Sequence, residues 1–131
     1  MEINVTFGGN KRVDAEFNGY VVKTDQPVRG GGDGTAPSPF EYFLASLATC
    51  AGIYVLGFLQ SRNLPSEGVT LTQRHEFDPV SHRLSAVTLA IKLPAAIPEK
   101  YHEAIIRTAS MCAVKKALQD PPAVAVVVEP V

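Results

Sequence analysis

The first 24 residues alternate between apolar and polar side chains, the pattern of half-buried strands. The alternation runs over residues 3–7 and again over 13–17, with a Gly-Gly-Asn turn signal at 8–10 between them. An Asn-Gly pair at 18–19, a strong hairpin signal, precedes a third short segment at 20–24. The chain is therefore predicted to open with a small antiparallel meander of three strands.

A glycine-rich loop and a long helix are predicted next. Residues 25–37 contain two prolines and a GGGDG run, which favour an irregular, mobile loop. Ser38-Pro39 is a helix N-terminus signal, and no proline interrupts residues 40–63. A helix of that length would span about 36 Å at 1.5 Å per residue. Because a whole domain of this size has a comparable diameter, the helix is expected to cross the molecule.

This helix raises the question of what surrounds it. No charged side chain lies between Tyr42 and Leu59, and apolar or small residues occupy every face, so the helix is expected to be buried on all sides. A membrane span has about this length, but Ser46 and Thr49 dilute the hydrophobicity and the flanking segments have strand patterns. Packing between two copies of the chain would cover it, so a homo-oligomer without a membrane partner is favoured.

The remaining pattern predicts a hairpin and a second helix. Alternating apolar positions over 69–77 and 82–93 indicate two paired strands that turn near Asp78-Pro79. Pro98 begins a helix with acidic residues in its first turn and lysines near its end, the arrangement that the helix dipole favours. Pro121-Pro122 ends that helix.

The last segment completes the predicted fold. Residues 123–128 form a continuous apolar run that fits a final buried strand. The predicted order is β-β-β-α-β-β-α-β, an α+β fold in a single domain over residues 1–131.

Charge and composition narrow the function classes. Twelve Lys and Arg against thirteen Asp and Glu give a net charge of −1, without a basic stripe, so nucleic acid is not an expected partner. A hydrophobic content of 46% excludes a disordered chain. The first residues lack the cationic segment and apolar run of a signal peptide, so a cytoplasmic location is expected.

Two cysteines are the main candidates for chemistry. Cys50 lies in the middle of the long helix, and Cys112 follows Tyr101, Ile105 and Ala109 on the apolar stripe of the second helix. A buried thiol is often only a small apolar side chain. Two thiols facing one core can instead form a peroxidatic and resolving pair, provided that the helices cross within disulfide reach. The sequence leaves both interpretations open.

Two segments that contain these cysteines resemble a known family. GGGDGTAPSPFEYFLASLATC at 30–50 and MCAVKKAL at 111–118 are similar to the glycine-rich loop, long cysteine helix and second cysteine segment of the OsmC/Ohr family of hydroperoxide reductases. Ala113 stands where many members have proline. The predicted order of elements also agrees along essentially the whole chain. The resemblance implies an OsmC-like fold and an intertwined homodimer, with active sites at the interface.

The resemblance also implies a reaction. Cys50 would be the peroxidatic thiolate that reduces organic hydroperoxides, and Cys112 would resolve its sulfenic acid as a disulfide. A dithiol reductant would then regenerate the thiols. No cofactor is implied: neither metal, haem nor nucleotide is needed. The alternative, of a different class, is a non-catalytic dimer that binds a small apolar molecule or a thiol at the interface.

In the best-studied branch of the family an arginine and a glutamate support the thiolate, and the glutamate lies ten residues before the first cysteine. Phe40 occupies that position here. Glu41 would lie about 180° around an ideal helix from Cys50, so a site role and a first-turn helix charge are both open. In the family this arginine comes from the N-terminal sheet region, where the chain offers Lys11 and Arg12, and Arg29 follows in the loop. Arg12 is the candidate, although it shares a strand face with Asp14 and is also explained as a solvated residue. The candidate catalytic residues are therefore Cys50, Cys112, Arg12 and Glu41.

Other constellations are weaker. His75, Glu76, Asp78 and His82 flank the predicted hairpin turn without a recognised metal-ligand spacing. The glycine run at 30–34 matches neither dinucleotide nor P-loop motifs, and a flexible flap over the active site is the expected role.

Overall fold

The computed structural model describes residues 1–131. The chain has an α+β fold and forms two compact units, an N-terminal unit of residues 1–45 and a C-terminal unit of residues 46–131.

The N-terminal unit contains the predicted meander. Strands β1 (Asn4–Phe7), β2 (Val13–Phe17) and β3 (Tyr20–Thr24) form an antiparallel sheet in the order β1-β2-β3. Asn18 and Gly19 both have positive φ, as the tight turn between β2 and β3 requires.

The loop after β3 is organised around one carboxylate. Asp25 is fully buried, and its oxygens accept hydrogen bonds from the backbone of Gln26 at 2.7 Å, from the hydroxyl of Thr35 at 2.6 Å and from the backbone of Thr35 at 3.0 Å. Gly32 is also buried, and a Cβ there would collide with the Gln26 carbonyl. The glycine run therefore allows the loop to fold closely over Asp25, a residue that the sequence pattern did not single out.

Helix α1 (Pro39–Ser61) follows the predicted bounds to within two residues. Its buried side chains are Leu47, Ala51, Val55, Phe58 and Leu59, but Ile53 is 60% exposed. The chain's own elements therefore cover only part of the helix, and its burial on every side between two copies of the chain stays a prediction. By length and composition alone the helix could cross a membrane, a property that core helices of soluble proteins share.

The C-terminal unit contains the hydrophobic core. Strands β4 (Thr70–Phe77) and β5 (Leu84–Lys92) form the predicted antiparallel hairpin, whose turn is held by the Asp78 carboxylate. Leu71 and Ile91 lie opposite each other and pack against the core formed with α1 and the following helix. The buried members of that core are Ala51, Val55, Phe58, Leu59, Ile97, Ile105 and Ala109.

The segment that was predicted to form one second helix forms two helices. After a 3₁₀ turn at Glu99–Tyr101, α2 spans His102–Ala109 and α3 spans Ala113–Gln119. Between them Cys112 has an extended backbone and is the N-cap of α3. The apolar periodicity concealed this break because Ile105, Ala109 and Cys112 are all buried on either side of it.

The predicted last strand is wrong. Residues 120–131 are exposed and form no strand, and Val126 is 94% exposed. An apolar run becomes a strand only when a sheet edge pairs with it, and neither sheet of this chain does so. The observed order is therefore β-β-β-α-β-β-α-α.

Candidate thiol active site

The structure brings Cys50 and Cys112 into contact. Cys50 lies on α1 next to the buried Ala51, and Cys112, which is 1% exposed, precedes α3. The Cys112 side chain forms a hydrogen bond with the Cys50 sulfur, and both residues are free thiols. The two thiols therefore interact, and their roles as a peroxidatic and resolving pair stay a prediction.

Backbone amides of α3 favour the thiolate of Cys50. The N–H of Val114 donates to the Cys50 sulfur and is the largest influence lowering the pKa of that thiol. Burial opposes the shift, while hydrogen bonds from the Cys112 side chain and the Ala113 N–H add to it, so the pKa is lowered overall. Because the thiolate is the reactive form of cysteine, this environment favours nucleophilic attack.

The local sequence explains why these amides are available. Cys112 has φ −61° and ψ 147°, so the helix begins only after it. The first N–H groups of any helix have no partner within the helix. Here the Cys112 sulfur accepts from the Lys115 N–H at 3.4 Å, while the preceding two amides donate to Cys50.

An apolar cavity of about 520 Å³ adjoins Cys112. Its walls are mainly aliphatic, and Lys115, His102 and Ser110 are its polar lining residues. Cavities of this size accommodate small ligands. The main aliphatic lining comes from β5 and α2: Val87, Leu89, Ile91, Ile105 and Ile106.

Arg12 has a partner within the N-terminal unit. Its Nη2 forms an ion pair with the Asp33 carboxylate at 2.8 Å, linking the residue before β2 to the glycine-rich loop. The structure thus gives Arg12 a loop contact that the strand pattern did not predict. Its role towards the thiolate stays a prediction.

Glu41 completes the N-terminal cap of α1. Its carboxylate accepts from the Ser38 N–H at 3.0 Å, and its own N–H donates to the Ser38 hydroxyl at 3.3 Å. This reciprocal pair is a capping box. The Ser38 amide and hydroxyl are the main reasons that the pKa of Glu41 is lowered, with a smaller contribution from the charge of Arg29. The capping box therefore explains Glu41 as a residue that stabilises the start of α1, and a role of Glu41 at the thiol site stays a prediction.

Sequence reasoning missed the amides of Ala113 and Val114, because every residue type carries a backbone N–H. One signal was present. Proline is favoured at the first position of a helix, and Ala113 stands where the resembling family often has proline. The proline that the family often has at this position indicates that a helix starts directly after Cys112. Elsewhere, the structure contains no group of three or more His, Cys, Asp or Glu side chains that could hold a metal ion.

Comparison with known proteins places the chain in a family. The model of the family described as OsmC-like protein matches residues 31–127. The chain therefore belongs to the OsmC-like protein family. No curated protein matches it.

Solved structures share the fold. A Psychrobacter arcticus protein, provisionally described as an osmotic stress induced and detoxification response protein, is 26% identical, with a TM-score of 0.75 over 88% of this chain and 85% of that one. An organic hydroperoxide resistance protein OsmC of Legionella pneumophila is 19% identical, with a TM-score of 0.58 over 90% and 88% of the two chains.

A third similar structure carries a ligand. A Vibrio cholerae protein with a suspected role in organic hydroperoxide resistance has captopril bound in one of its active sites. It is 20% identical to this chain, with a TM-score of 0.63 over 92% of this chain and 86% of that one.

Proposed function

We propose that this protein is a thiol-dependent peroxidase that reduces organic hydroperoxides. The observation that carries the proposal is the Cys50 sulfur, which accepts N–H groups of α3 while in contact with Cys112. Membership of the OsmC-like family supports the same reaction class, and two structural relatives are named for organic hydroperoxide resistance.

The reaction begins with attack of the Cys50 thiolate on a peroxide oxygen. The S–O bond forms as the O–O bond breaks, and the departing alkoxide takes a proton to become an alcohol. Cys112 sulfur then attacks the Cys50 sulfenic acid; the S–S bond forms, and hydroxide leaves as water with the Cys112 proton. A dithiol reductant returns two electrons by thiol–disulfide exchange, restoring both thiols.

The cavity supports an organic substrate. Its aliphatic walls would bury an apolar group next to Cys112, and this burial stabilises binding by roughly 25 cal/mol per Å² of apolar surface. Hydrogen peroxide has no apolar group to bury. Preference for an organic hydroperoxide over hydrogen peroxide is therefore the expected selectivity.

We also propose that Arg12 and Glu41 support the thiolate of Cys50. Each already has a structural partner, Asp33 and Ser38 respectively. Substitution Arg12→Ala, compared with Lys11→Ala, measures whether the guanidinium contributes to turnover. If the guanidinium contributes, the peroxidase rate falls in Arg12→Ala and does not fall in Lys11→Ala.

The protein is also proposed to be a homodimer. Ile53 on α1 and the apolar segment 123–128 are exposed in the single chain, and a second copy would bury them. The proposed location is the cytoplasm, where a reducing environment would keep both thiols reduced.

The test is consumption of cumene hydroperoxide with dithiothreitol as the reductant. We expect wild type to turn over the organic peroxide faster than hydrogen peroxide, and Cys50→Ser to abolish turnover. Cys112→Ser should retain the first oxidation and accumulate a sulfenic acid at Cys50 that a dimedone probe traps. Thiols that stay reduced for many minutes with one equivalent of peroxide would show that the proposal is wrong.

The cavity also supports the second candidate function, binding without catalysis. Captopril, a small thiol that occupies an active site of the Vibrio cholerae relative, is a suitable probe. Captopril binding that is unchanged in Cys50→Ala, together with absent peroxide turnover in wild type, would favour the binding function.

A further inference from the structure

The apolar cavity adjoins only one of the two cysteines. Cys112 lines it, whereas Cys50 does not. All of its lining residues belong to the C-terminal unit. Leu47, Ile105 and Cys112 lie in its wall and are buried by the chain's own elements, so this part of the cavity forms without a second copy. A molecule in the cavity is therefore placed against Cys112.

This placement matters for the second half of the proposed reaction. Once the hydroperoxide has left as an alcohol, the cavity is free and the Cys50–Cys112 disulfide has to be reduced by a thiol. A thiolate can attack either sulfur of a disulfide, and the rate depends on access to that sulfur and on the thiolate that leaves. Access through the cavity selects the Cys112 sulfur.

The leaving group favours the same direction of attack. When the Cys112 sulfur is attacked, the Cys50 sulfur leaves. Hydrogen bonds lower the pKa of Cys50, and a thiolate of lower pKa leaves faster. Access and leaving group therefore agree.

Lys115 supplies a charge that suits an incoming thiol. It is the only lysine or arginine in the cavity wall, and its side chain is half-buried. It forms no ion pair within the chain, where the only such pair joins Arg12 and Asp33. Because a nearby ammonium lowers the pKa of a thiol, Lys115 would favour the reactive thiolate of a thiol that enters, while the aliphatic walls bury its apolar part.

We propose that the cavity admits the reductant, a small thiol with an apolar substituent, and that this thiol attacks the Cys112 sulfur of the disulfide. The inference rests on the proposed function, which supplies the disulfide. The attacking thiol gives its proton to water; the reductant–Cys112 S–S bond forms as the Cys50–Cys112 bond breaks, and Cys50 leaves as a thiolate. The second thiol of a dithiol then attacks the reductant's own sulfur, closing its disulfide, and its proton passes to the departing Cys112 thiolate.

The position of the mixed disulfide tests which sulfur is attacked. The full-length disulfide form is prepared with diamide, so that this step does not depend on peroxidase activity, and is mixed with the monothiol benzyl mercaptan. N-ethylmaleimide stops the reaction and blocks the thiol that has been released. Peptide mass spectrometry should find the benzylthio group on Cys112 and the maleimide on Cys50, in about tenfold or greater excess over the reverse. A benzylthio group mainly on Cys50, or equally on both, would overturn the proposal.

Ile106→Trp tests entry through the cavity. Ile106 lines the cavity but is 58% exposed, so a larger side chain there should narrow the cavity without disturbing the core. Wild-type disulfide should be reduced about tenfold faster by benzyl mercaptan than by 2-mercaptoethanol, which has no apolar substituent to bury. Ile106→Trp should remove this preference, and Val80→Trp in the exposed β4–β5 turn should keep it. Equal rates in wild type, as expected if a second copy fills the cavity, would overturn the proposal.

Lys115→Gln removes the charge and keeps a long polar side chain. Reduction by benzyl mercaptan at pH 7 should slow severalfold, and the difference from wild type should shrink at about pH 10, where the free thiol is largely ionised without help. Lys116→Gln is the matched control, because Lys116 is adjacent but does not line the cavity. Equal slowing in the two variants, or slowing that is the same at both pH values, would contradict the role of Lys115.

The two proposals can fail separately. Disulfide formation by diamide but not by cumene hydroperoxide would reject the peroxidase function alone, since the position of the benzylthio group still reports the attacked sulfur. Failure of both oxidants to form the disulfide would overturn both proposals.

Discussion

At the scale of the residue, the lowered pKa of Cys50 depends on backbone amides and the neighbouring thiol rather than on charged side chains. The Val114 N–H is the largest influence that favours its thiolate, followed among the favourable ones by the Cys112 side chain and the Ala113 N–H. The sequence could identify both cysteines as candidates because thiols are few in this chain. It could not identify the two amides, because their alignment depends on the extended backbone of Cys112.

The first prediction concerns pH. Since the folded protein lowers the pKa of Cys50, alkylation by iodoacetamide should reach half its maximal rate below the ordinary cysteine value of about 8.5. The thiolate's contribution to stability has the matching sign: it is fully present above the unfolded-state pKa and is lost as the pH falls through the folded-state pKa. Mass-spectrometric peptide analysis assigns the alkylated thiol.

Proline substitutions at the two donor positions should rank the two amides. Val114→Pro removes the larger donor and should raise the pKa of Cys50 more than Ala113→Pro, which removes the smaller one at a position where proline favours a helix start. A larger shift in Ala113→Pro would contradict the assigned order of the donors.

At the scale of the element, α1 was predictable and the end of the chain was not. Ser38-Pro39 and the absence of an internal proline fixed the helix bounds locally. The break between α2 and α3 escaped prediction because Ala109 and Cys112, which flank its exposed residues, are both buried at helical spacing. The tail 123–128 has a strand composition but lacks a pairing edge within the chain.

The capping box gives a prediction at this scale. Ser38→Ala removes the acceptor for the Glu41 N–H and should lower stability by about 1 kcal/mol in denaturant unfolding. Glu41→Gln keeps a side-chain acceptor for the Ser38 N–H and should cost less. If Glu41→Gln lowers the peroxidase rate while Ser38→Ala does not, the carboxylate supports the thiolate as well as the helix.

At the scale of the whole molecule, the chain leaves apolar surface uncovered. Ile53 is 60% exposed on a helix without charged residues from 42 to 59, and Val126 is 94% exposed in the tail. The proposed homodimer is the arrangement that would bury both.

Ile53→Glu tests this arrangement. Burying the new carboxylate in a dimer is unfavourable, so the variant should elute as a monomer in size-exclusion chromatography with light scattering. Val80→Glu places the same substitution in the exposed β4–β5 turn and should leave the oligomeric state of wild type unchanged. A wild type that is monomeric at micromolar concentration would contradict the proposed dimer.

The sequence by itself determined the local elements: three alternating strands, a hairpin, a long helix with its cap, and two cysteines in segments typical of one family. These depend on side-chain periodicity and turn residues, which act over a few positions. Tertiary structure decided the rest. The interaction of Cys50 with Cys112 and with the amides of α3 joins residues more than 60 positions apart. The burial of Asp25 depends on a loop that returns to it from at least eight residues away. No local side-chain pattern records such contacts.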